Sequence, residues 1–477
     1  MKKLTKIVAT IGPVSDSEEQ IQKLIEAGVN VFRFNFKHST VEWHAERIDR
    51  VNKVAKKMGV HVGTLLDLQG PEIRINMPGD GIHIKVGEMV TLGESVFTDK
   101  TKKGFSCSHP SLFEYLKVGQ HLLADDGAFT FTVMEVGKEA ILKCNRAGLL
   151  KNRKSLRIPG ANFPFPVLVD RDFEGLKLAQ RSELDYIALS YARNAKDVHT
   201  LREEMKKYKI VAQIISKIEA KTAIDNLDEI IDASDGIMVA RGDLGIELPI
   251  EEVPYWQKVI IKKSMERGIP VITATQMLQT MIDNPFPTRA EVSDVANATY
   301  DLTDAVMLSG ESASGKYPVE TVTMMRKIVE ANELRFIEDT RWTFEFNDAN
   351  NESMLCEGAY NIYQTLLSRG EKIAGFVVFT QTGKTARMLS RYRASLPVFA
   401  FVPNAKIAQM LTVNYGVEPI VKKDISAKEL VTKEGIAKTV EFLKKEQGAK
   451  TGEWFIVLHG DCWLVEGGTS TLKLIQI

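Results

Sequence analysis

Gln213-Ile-Ile-Ser-Lys-Ile-Glu219, followed by Met238-Val-Ala-Arg-Gly-Asp-Leu-Gly245, carries the reading of this chain. The first run predicts a strand ending in a cation and a carboxylate. Side chains alternate with period two, so Lys217 and Glu219 share one face while Ile214, Ser216 and Ile218 take the other. The second run predicts a strand that delivers Asp243 just past its end. One ammonium and two carboxylates at adjacent strand ends suit a divalent cation holding a phosphorylated, acidic ligand.

Around this pair, short apolar strands alternate with amphipathic helices. Strands are predicted over Lys6–Gly12, Asn30–Phe36, His61–Leu68, Tyr186–Tyr191, Val211–Glu219, Gly236–Arg241, Pro270–Gln276 and Ala305–Glu311. Helices are predicted over Ser17–Ala27, with Ser15 or Asp16 as its cap, and over Val41–Met58. Such alternation implies a parallel sheet with helical crossovers. Eight strands suit a closed (β/α)8 TIM barrel, whose chemistry sits where the strands end. From about Arg74 to Gly160 the alternation gives way to short β-rich segments with turns at Pro78-Gly79-Asp80-Gly81 and Asp125-Asp126-Gly127. This predicts a small β-barrel lid inserted into the barrel domain. Arg335–Asn351 reads as a charged connector, and a C-terminal α/β domain follows. The expected division is therefore 1–73 and 161–345 for the barrel, 74–160 for the lid and 346–477 for the last domain.

Composition excludes several classes. The 477 residues leave room for about three domains. Lys plus Arg equals Asp plus Glu at 62 each, so no global field draws nucleic acid or an anionic membrane, and any anion site must be built locally. The four cysteines, Cys107, Cys144, Cys356 and Cys462, form no CxxC pair and fit reduced cytoplasmic thiols. No HExxH spacing occurs, which argues against zinc. The N-terminal apolar stretch is broken by Thr10, Gly12 and Pro13 and reads as a buried strand, not a signal peptide. No run approaches the ~18 apolar residues of a membrane span.

Other polar residues stand at strand ends. In Val31-Phe-Arg-Phe-Asn-Phe-Lys37 the three Phe take one face and Arg33, Asn35 and Lys37 the other. They form either a buried ion-pair network or a site where Arg33 grips phosphate oxygens in a forked geometry. Asp67 and Arg74 read equally as turn and hinge residues. Lys217 is either a salt-bridge partner of Glu219 or a phosphate ligand, and its strand-end position favours the second. Thr273-Ala-Thr-Gln-Met277 and Leu308-Ser-Gly-Glu311 end the last two strands, with threonine hydroxyls suited to capping or to proton relay. Thr380-Gln-Thr-Gly-Lys-Thr-Ala386 reads equally as a capped helix start and as a phosphate nest; Val378 stands where a P-loop needs its first glycine.

Together these segments resemble the pyruvate kinase family over nearly the whole chain. The similar runs include Thr5-Lys-Ile-Val-Ala-Thr-Ile-Gly-Pro13, Gly70-Pro-Glu-Ile-Arg74, Ser216-Lys-Ile-Glu219, Met238–Gly245, Thr273-Ala-Thr-Gln-Met-Leu278, Pro287–Ala298 and Ala305–Glu311. The resemblance implies phosphoryl transfer from phosphoenolpyruvate to ADP in a cytoplasmic, homotetrameric glycolytic enzyme. It implies that Arg33 and Lys217 hold the transferring group, and that Glu219 and Asp243 bind magnesium or manganese. Gly242 and Thr275 would contact substrate, and Thr275, Ser309 and Glu311 would lie on the route that protonates the enolate. It further implies nucleotide contacts from His38, Arg74, Arg153 or Lys154, and a sugar-phosphate effector at Thr380, Thr382, Lys384 and Thr385.

Three departures break the family pattern. Lys37 and Ser39 replace the serine and glycine of Arg-Leu-Asn-Phe-Ser-His-Gly. Leu68 and Gln69 replace the central pair of Asp-Thr-Lys-Gly-Pro. Lys154-Ser-Leu-Arg157 stands where Lys-Gly-Val-Asn is usual. The resemblance implies potassium held by Asn35, Asp67 and the Leu68 carbonyl; the departure at Lys37 suggests instead that its ammonium takes the potassium position, held by Asp67 with Glu72 as a second partner. Two other functions compete with catalysis of this kind: a catalytically weakened paralogue that binds metabolites and regulates a partner, and a barrel lyase that acts on an oxo-acid.

Overall fold

Alternating short apolar runs and amphipathic stretches fold into the expected barrel. The computed structural model describes residues 3–160, 163, 165–339, 346, 350–421, 433–460 and 468–477. Eight parallel strands close on themselves: β1 (Lys6–Thr10), β2 (Val31–Asn35), β3 (Gly63–Asp67), β4 (Tyr186–Leu189), β5 (Gln213–Ile218), β6 (Gly236–Ala240), β7 (Val271–Ala274) and β8 (Ala305–Leu308). β1 pairs with both β2 and β8. Both faces of each strand are covered, which is why these runs are nearly continuous in apolar residues. Val8, Leu65, Ile215, Met238 and Ile272 fill the interior. Phe32, Phe34, Phe36, Ile214 and Ile218 pack under the helices.

Every predicted barrel strand is present, and each stops one to three residues short of its expected end. β7 ends at Ala274 because Thr275 and Gln276 turn to positive φ, 72° and 54°. β8 ends at Leu308, and Gly310–Ala313 forms a helical turn. The first helix spans Glu18–Ala27 and is capped by Ser17, which accepts the Gln20 amide, not by Ser15 or Asp16. Ser15 is buried and accepts from Gly12 N instead, and Asp16 pairs with Arg47. The second helix runs over Val41–Met58 as predicted.

Between β3 and β4 the chain forms a seven-stranded sheet with its own core, plus the pair Gly81–Ile84 and Gly148–Lys151. Two of its strands, Ile75–Asn76 and Leu156–Arg157, are two residues long, too short for a legible period. A bridge between Arg74 and Ser155 ties the way in to the way out.

The C-terminal part begins with a helix over Asn351–Ser368 and builds a five-stranded sheet centred on Ile373–Phe379. Its last strand, Thr469–Gln476, is antiparallel to Trp454–Gly460. Most of the predicted connector and Cys462 lie outside the described residues. This part seals the base of the barrel. Val413 joins the interior core, and Tyr186 donates to the Gln409 carbonyl at 3.1 Å. A Cβ on Gly63 would lie 2.5 Å from Thr412 Oγ1, so that approach requires glycine. Lys406 pairs with Asp185 at 2.7 Å and Arg393 with Asp304 at 2.6 Å. With the C-terminal part packed against the base, the polar strand-end residues lie at the opposite end, where the strands terminate.

Asp304 also accepts the amides of Val271 and Tyr415 at 3.0 Å. Removing it strands the buried Arg393 guanidinium and two amides. Asp304→Ala is expected to destabilise the chain by about 3–5 kcal/mol, read as a lowered urea midpoint with the unfolding slope unchanged.

Candidate active site

The mouth of the barrel is lined by a ladder of charges. Arg33, in the middle of β2, donates from Nε and Nη2 to Asp67 Oδ2 at 2.8 and 2.5 Å, and from Nη1 to Thr10 at 3.0 Å. Asp67 ends β3 and is 1% exposed. Its other oxygen faces Lys217 Nζ at 3.2 Å, and Lys217 reaches Glu219 at 2.8 Å. The period-two reading therefore holds: Lys217 and Glu219 project together from β5. Ser190 links the ladder, accepting from Lys217 at 2.8 Å and donating to the Leu68 carbonyl at 2.7 Å.

Charge states follow from these contacts. Burial works against the Lys217 ammonium, but Asp67 and Glu219 outweigh it and hold the proton on well above neutrality. Burial likewise raises Asp67, yet Lys217 and Arg33 leave it below the usual carboxylate range. Glu219 is pushed up, first by burial and then by the nearby charge of Asp243, while Lys217 pulls it down. Two acids that repel across a buried mouth are the arrangement a hard divalent cation relieves. Among the described residues, no group of three or more His, Cys, Asp or Glu gathers as a metal cage. Glu219 and Asp243 are the carboxylates here that could serve a divalent cation, with substrate oxygens completing its shell.

Asp243 lies in the turn of helix Arg241–Glu247 after β6. Gly242 N donates to Thr275 Oγ1 at 2.8 Å, which leaves the threonine proton free to be donated. The positive φ of Thr275 is held from behind. Arg241 donates to the Thr275 carbonyl at 2.7 Å and forks onto Asp294 at 2.6 and 2.7 Å. A non-glycine pair in the left-handed region is costly and persists only where contacts impose it. Glu311, fully buried, accepts the amides of Leu278 and Ser309, at 3.3 and 2.8 Å. It braces the two strand ends that carry Thr275 and Ser309.

On the other side, Lys37 pairs with Glu72 at 2.8 Å. The expected pairing of Lys37 with Asp67 is not present, because Arg33, Lys217 and Ser190 already occupy the Asp67 oxygens. Asn35 Oδ1 accepts the Lys37 amide at 3.4 Å. Arg74 also binds Glu72, at 2.7 Å, and donates to the Arg153 carbonyl at 2.9 Å. His38 is lowered by burial and by the charges of Lys37, Arg33 and Arg74, so these groups form one basic corner. Lys154 turns away to Asp125. In the C-terminal part, Thr380 Oγ1 accepts Gly383 N, while Thr385 donates to Glu352 at 2.5 Å. Lys384 pairs with the same carboxylate at 3.1 Å, and Thr382 is half-buried.

Sequence reasoning missed Thr10, Ser190, Tyr191, Arg241 and Asp294. Ser190 and Tyr191 closed a predicted strand without being weighed, and Thr10 was read only as a break in the N-terminal apolar stretch; Arg241 and Asp294 sat inside quoted runs with no visible partner.

Fold and mouth together define a barrel enzyme of the phosphotransferase class, which neutralises a strongly anionic substrate at the strand ends. Comparison with known proteins makes this particular. Residues 2–322 match the family model "Pyruvate kinase, barrel domain", and residues 363–475 match "Pyruvate kinase, alpha/beta domain". A pyruvate kinase of Staphylococcus epidermidis (strain RP62A) is 39% identical over 476 residues, 98% of this chain and 80% of the relative. One of Staphylococcus aureus (strain MRSA252) is 39% identical over 478 residues, 99% and 80%. The crystal structure of a pyruvate kinase from Cryptosporidium parvum superposes with a TM-score of 0.89 at 32% identity, covering 99% of this chain and 96% of that one. The chain belongs to the pyruvate kinase family.

Asp67→Asn leaves Arg33 and Lys217 buried around a neutral amide. It is expected to cost about 3 kcal/mol in urea unfolding, and Arg33→Met in the same chain is expected to restore part of that loss.

Proposed function

We propose that this chain transfers the phosphoryl group of phosphoenolpyruvate to ADP, giving pyruvate and ATP. The observation that carries the reading is the ladder Arg33–Asp67–Lys217–Glu219 beside Asp243 at the open end of the barrel. Both substrates are anions with up to about two negative charges per terminal phosphate. Their approach needs cations fixed before they arrive. Asp67 holds Arg33 and Lys217 side by side, so the guanidinium and the ammonium meet the transferring group without reorganising.

Glu219 and Asp243 would hold the divalent cation, magnesium or manganese, which would supply charge neutralisation for the transferring phosphoryl group. Thr275 and Gly242 position the substrate, and the free Thr275 proton points to the enolate route, with Ser309 next on it and Glu311 as a brace. Arg74 and His38, in the basic corner, would face the nucleotide, with Arg153 or, once it leaves Asp125, Lys154 of the inserted segment. The inserted β segment, read as 74–160 between barrel parts 1–73 and 161–345, would shield this end of the barrel from water, and the last domain, read as 346–477, meets the base through Gln409 and Val413. In the last part, exposed Lys384 and half-buried Thr382 are the groups open to a sugar phosphate, since Thr380 and Thr385 are engaged within the chain. Among the described residues no helix is long and apolar enough to cross a membrane. By analogy with the family, we infer a homotetramer located in the cytoplasm.

In a lactate dehydrogenase-coupled assay, pyruvate is expected only when phosphoenolpyruvate, ADP and a divalent cation are all present. Glu219→Gln is expected to lower turnover by roughly 10–100-fold. Silence of the wild-type chain would favour the non-catalytic reading, and pyruvate formed from another acid without nucleotide would favour the lyase.

Potassium is the other ion the family generally needs. The residues here do not fit it. The Leu68 carbonyl accepts from Ser190, and both Asp67 oxygens are bonded to cations of the chain. Where the family motif has a serine hydroxyl, this chain carries an ammonium 2.8 Å from Glu72. Lys37 thus brings a tethered charge of potassium's size into the same corner, held by Glu72 instead of by Asp67. Turnover is expected to be independent of potassium in tetramethylammonium buffer, and Lys37→Ser is expected to make the rate rise with added potassium. Strong activation of the wild-type chain by potassium sinks this assignment.

A further inference from the structure

Arg157 belongs to the inserted β segment, yet its side chain ends in the barrel mouth. Its strand, Leu156–Arg157, pairs with His121–Ala124. From there Nη2 donates to Asp243 Oδ1 and, at 3.1 Å, to the Tyr191 hydroxyl. The guanidinium carbon lies 5.4 Å from the centre of the Tyr191 ring, within cation–π range. Only a tenth of the side chain is exposed, and Nε has no hydrogen-bond partner among the described residues.

The partners on the barrel side are themselves fixed. Tyr191 has a φ of 57° and donates its amide to Glu219 Oε2 at 2.6 Å. Its ring packs against Gly70, where a Cβ would stand 2.8 Å from Cδ2. Three residues beyond Arg157, Gly160 N donates to Glu247 at 3.3 Å. The lid exit is thus tied to the barrel at two carboxylates, and Arg157 makes the charged tie.

Charge explains why the contact forms. Arg33 and Lys217 face three carboxylates, Asp67, Glu219 and Asp243, and Arg157 supplies the missing positive charge. Arginine does not lose its proton, so it cannot leave Asp243 by titrating. A divalent cation that binds Asp243 must displace it or sit against a like charge. Asparagine, usual at this place in the family motif, carries no such charge.

We propose that Arg157 is a lid-borne positioning residue that stands in for the divalent cation at Asp243, so that cation loading requires Arg157 to leave Asp243 and frees the lid to close again on bound substrate. This rests on the reading of Asp243 as a cation ligand. The residue does not touch substrate in this arrangement; it acts through Asp243, by setting how tightly the cation binds and by holding the lid against the mouth while the cation is absent.

The test is Mn2+ binding to the full chain without nucleotide, followed by electron paramagnetic resonance. Arg157→Asn is expected to bind Mn2+ about tenfold more tightly than wild type, the equivalent of one charge-assisted hydrogen bond no longer competing. Tyr191→Phe is expected to move affinity the same way by a smaller factor. Hydrogen exchange supplies the second readout: Mn2+ alone should speed exchange across 155–160 in wild type and leave Arg157→Asn, already fast, unchanged. Equal or weaker Mn2+ binding by Arg157→Asn, or exchange in wild type that Mn2+ does not alter, overturns the proposal. Asp243→Asn separates the two readings. If it binds Mn2+ as well as wild type does, the cation site itself is misassigned; if it binds poorly while Arg157→Asn equals wild type, only the stand-in role fails.

Discussion

The Asp67 carboxylate is the constraint on which the rest of this structure depends. Buried at the end of β3, it holds Arg33 from β2 on one oxygen and Lys217 from β5 on the other. Two cations this close would drive apart in a medium of low dielectric constant. Asp67 makes their proximity stable, and Glu219 repeats the effect one step further round the barrel. The cost of desolvating these groups is met by a scaffold already sealed elsewhere. What the barrel gains is a preset positive field for an anion, which water could supply only by reorganising.

The other interactions divide the labour. At the base, Asp304, Asp185 and Val413 join the C-terminal part to the barrel and close that end. At the mouth, Arg241 and Asp294 hold Thr275 in a conformation its own backbone disfavours, and Glu311 fixes the neighbouring loop. Strain sits where chemistry is expected, and the contacts that impose it lie one layer behind. The same logic places Tyr191, with its positive φ, between Glu219 and the lid.

This chain departs from its family in a consistent direction. Lys37 and Arg157 both put a covalently tethered cation beside a carboxylate in a place where neutral side chains are usual. A tethered ion needs no supply from solution, but it also cannot leave.

Much of this was legible in the sequence. Eight strands, the inserted β segment and the alignment of Lys217 with Glu219 all follow from short-range periodicity, because a strand's side-chain direction is set by the residue's own position along it. So does Asp243 as the residue that follows a strand. Strand ends were less legible, since positive φ at Thr275 and Gln276 is imposed by Arg241 and not by those residues' own preferences. Which charge meets which was beyond sequence altogether. Lys37 selects Glu72 over Asp67, and Arg157 crosses from lid to Asp243, because pairing depends on distances between segments far apart in the chain. Sequence determined the elements, their faces and the family; tertiary structure alone decided the partners, because Coulomb and hydrogen-bond energies depend on separation in space, which local order along the chain does not encode.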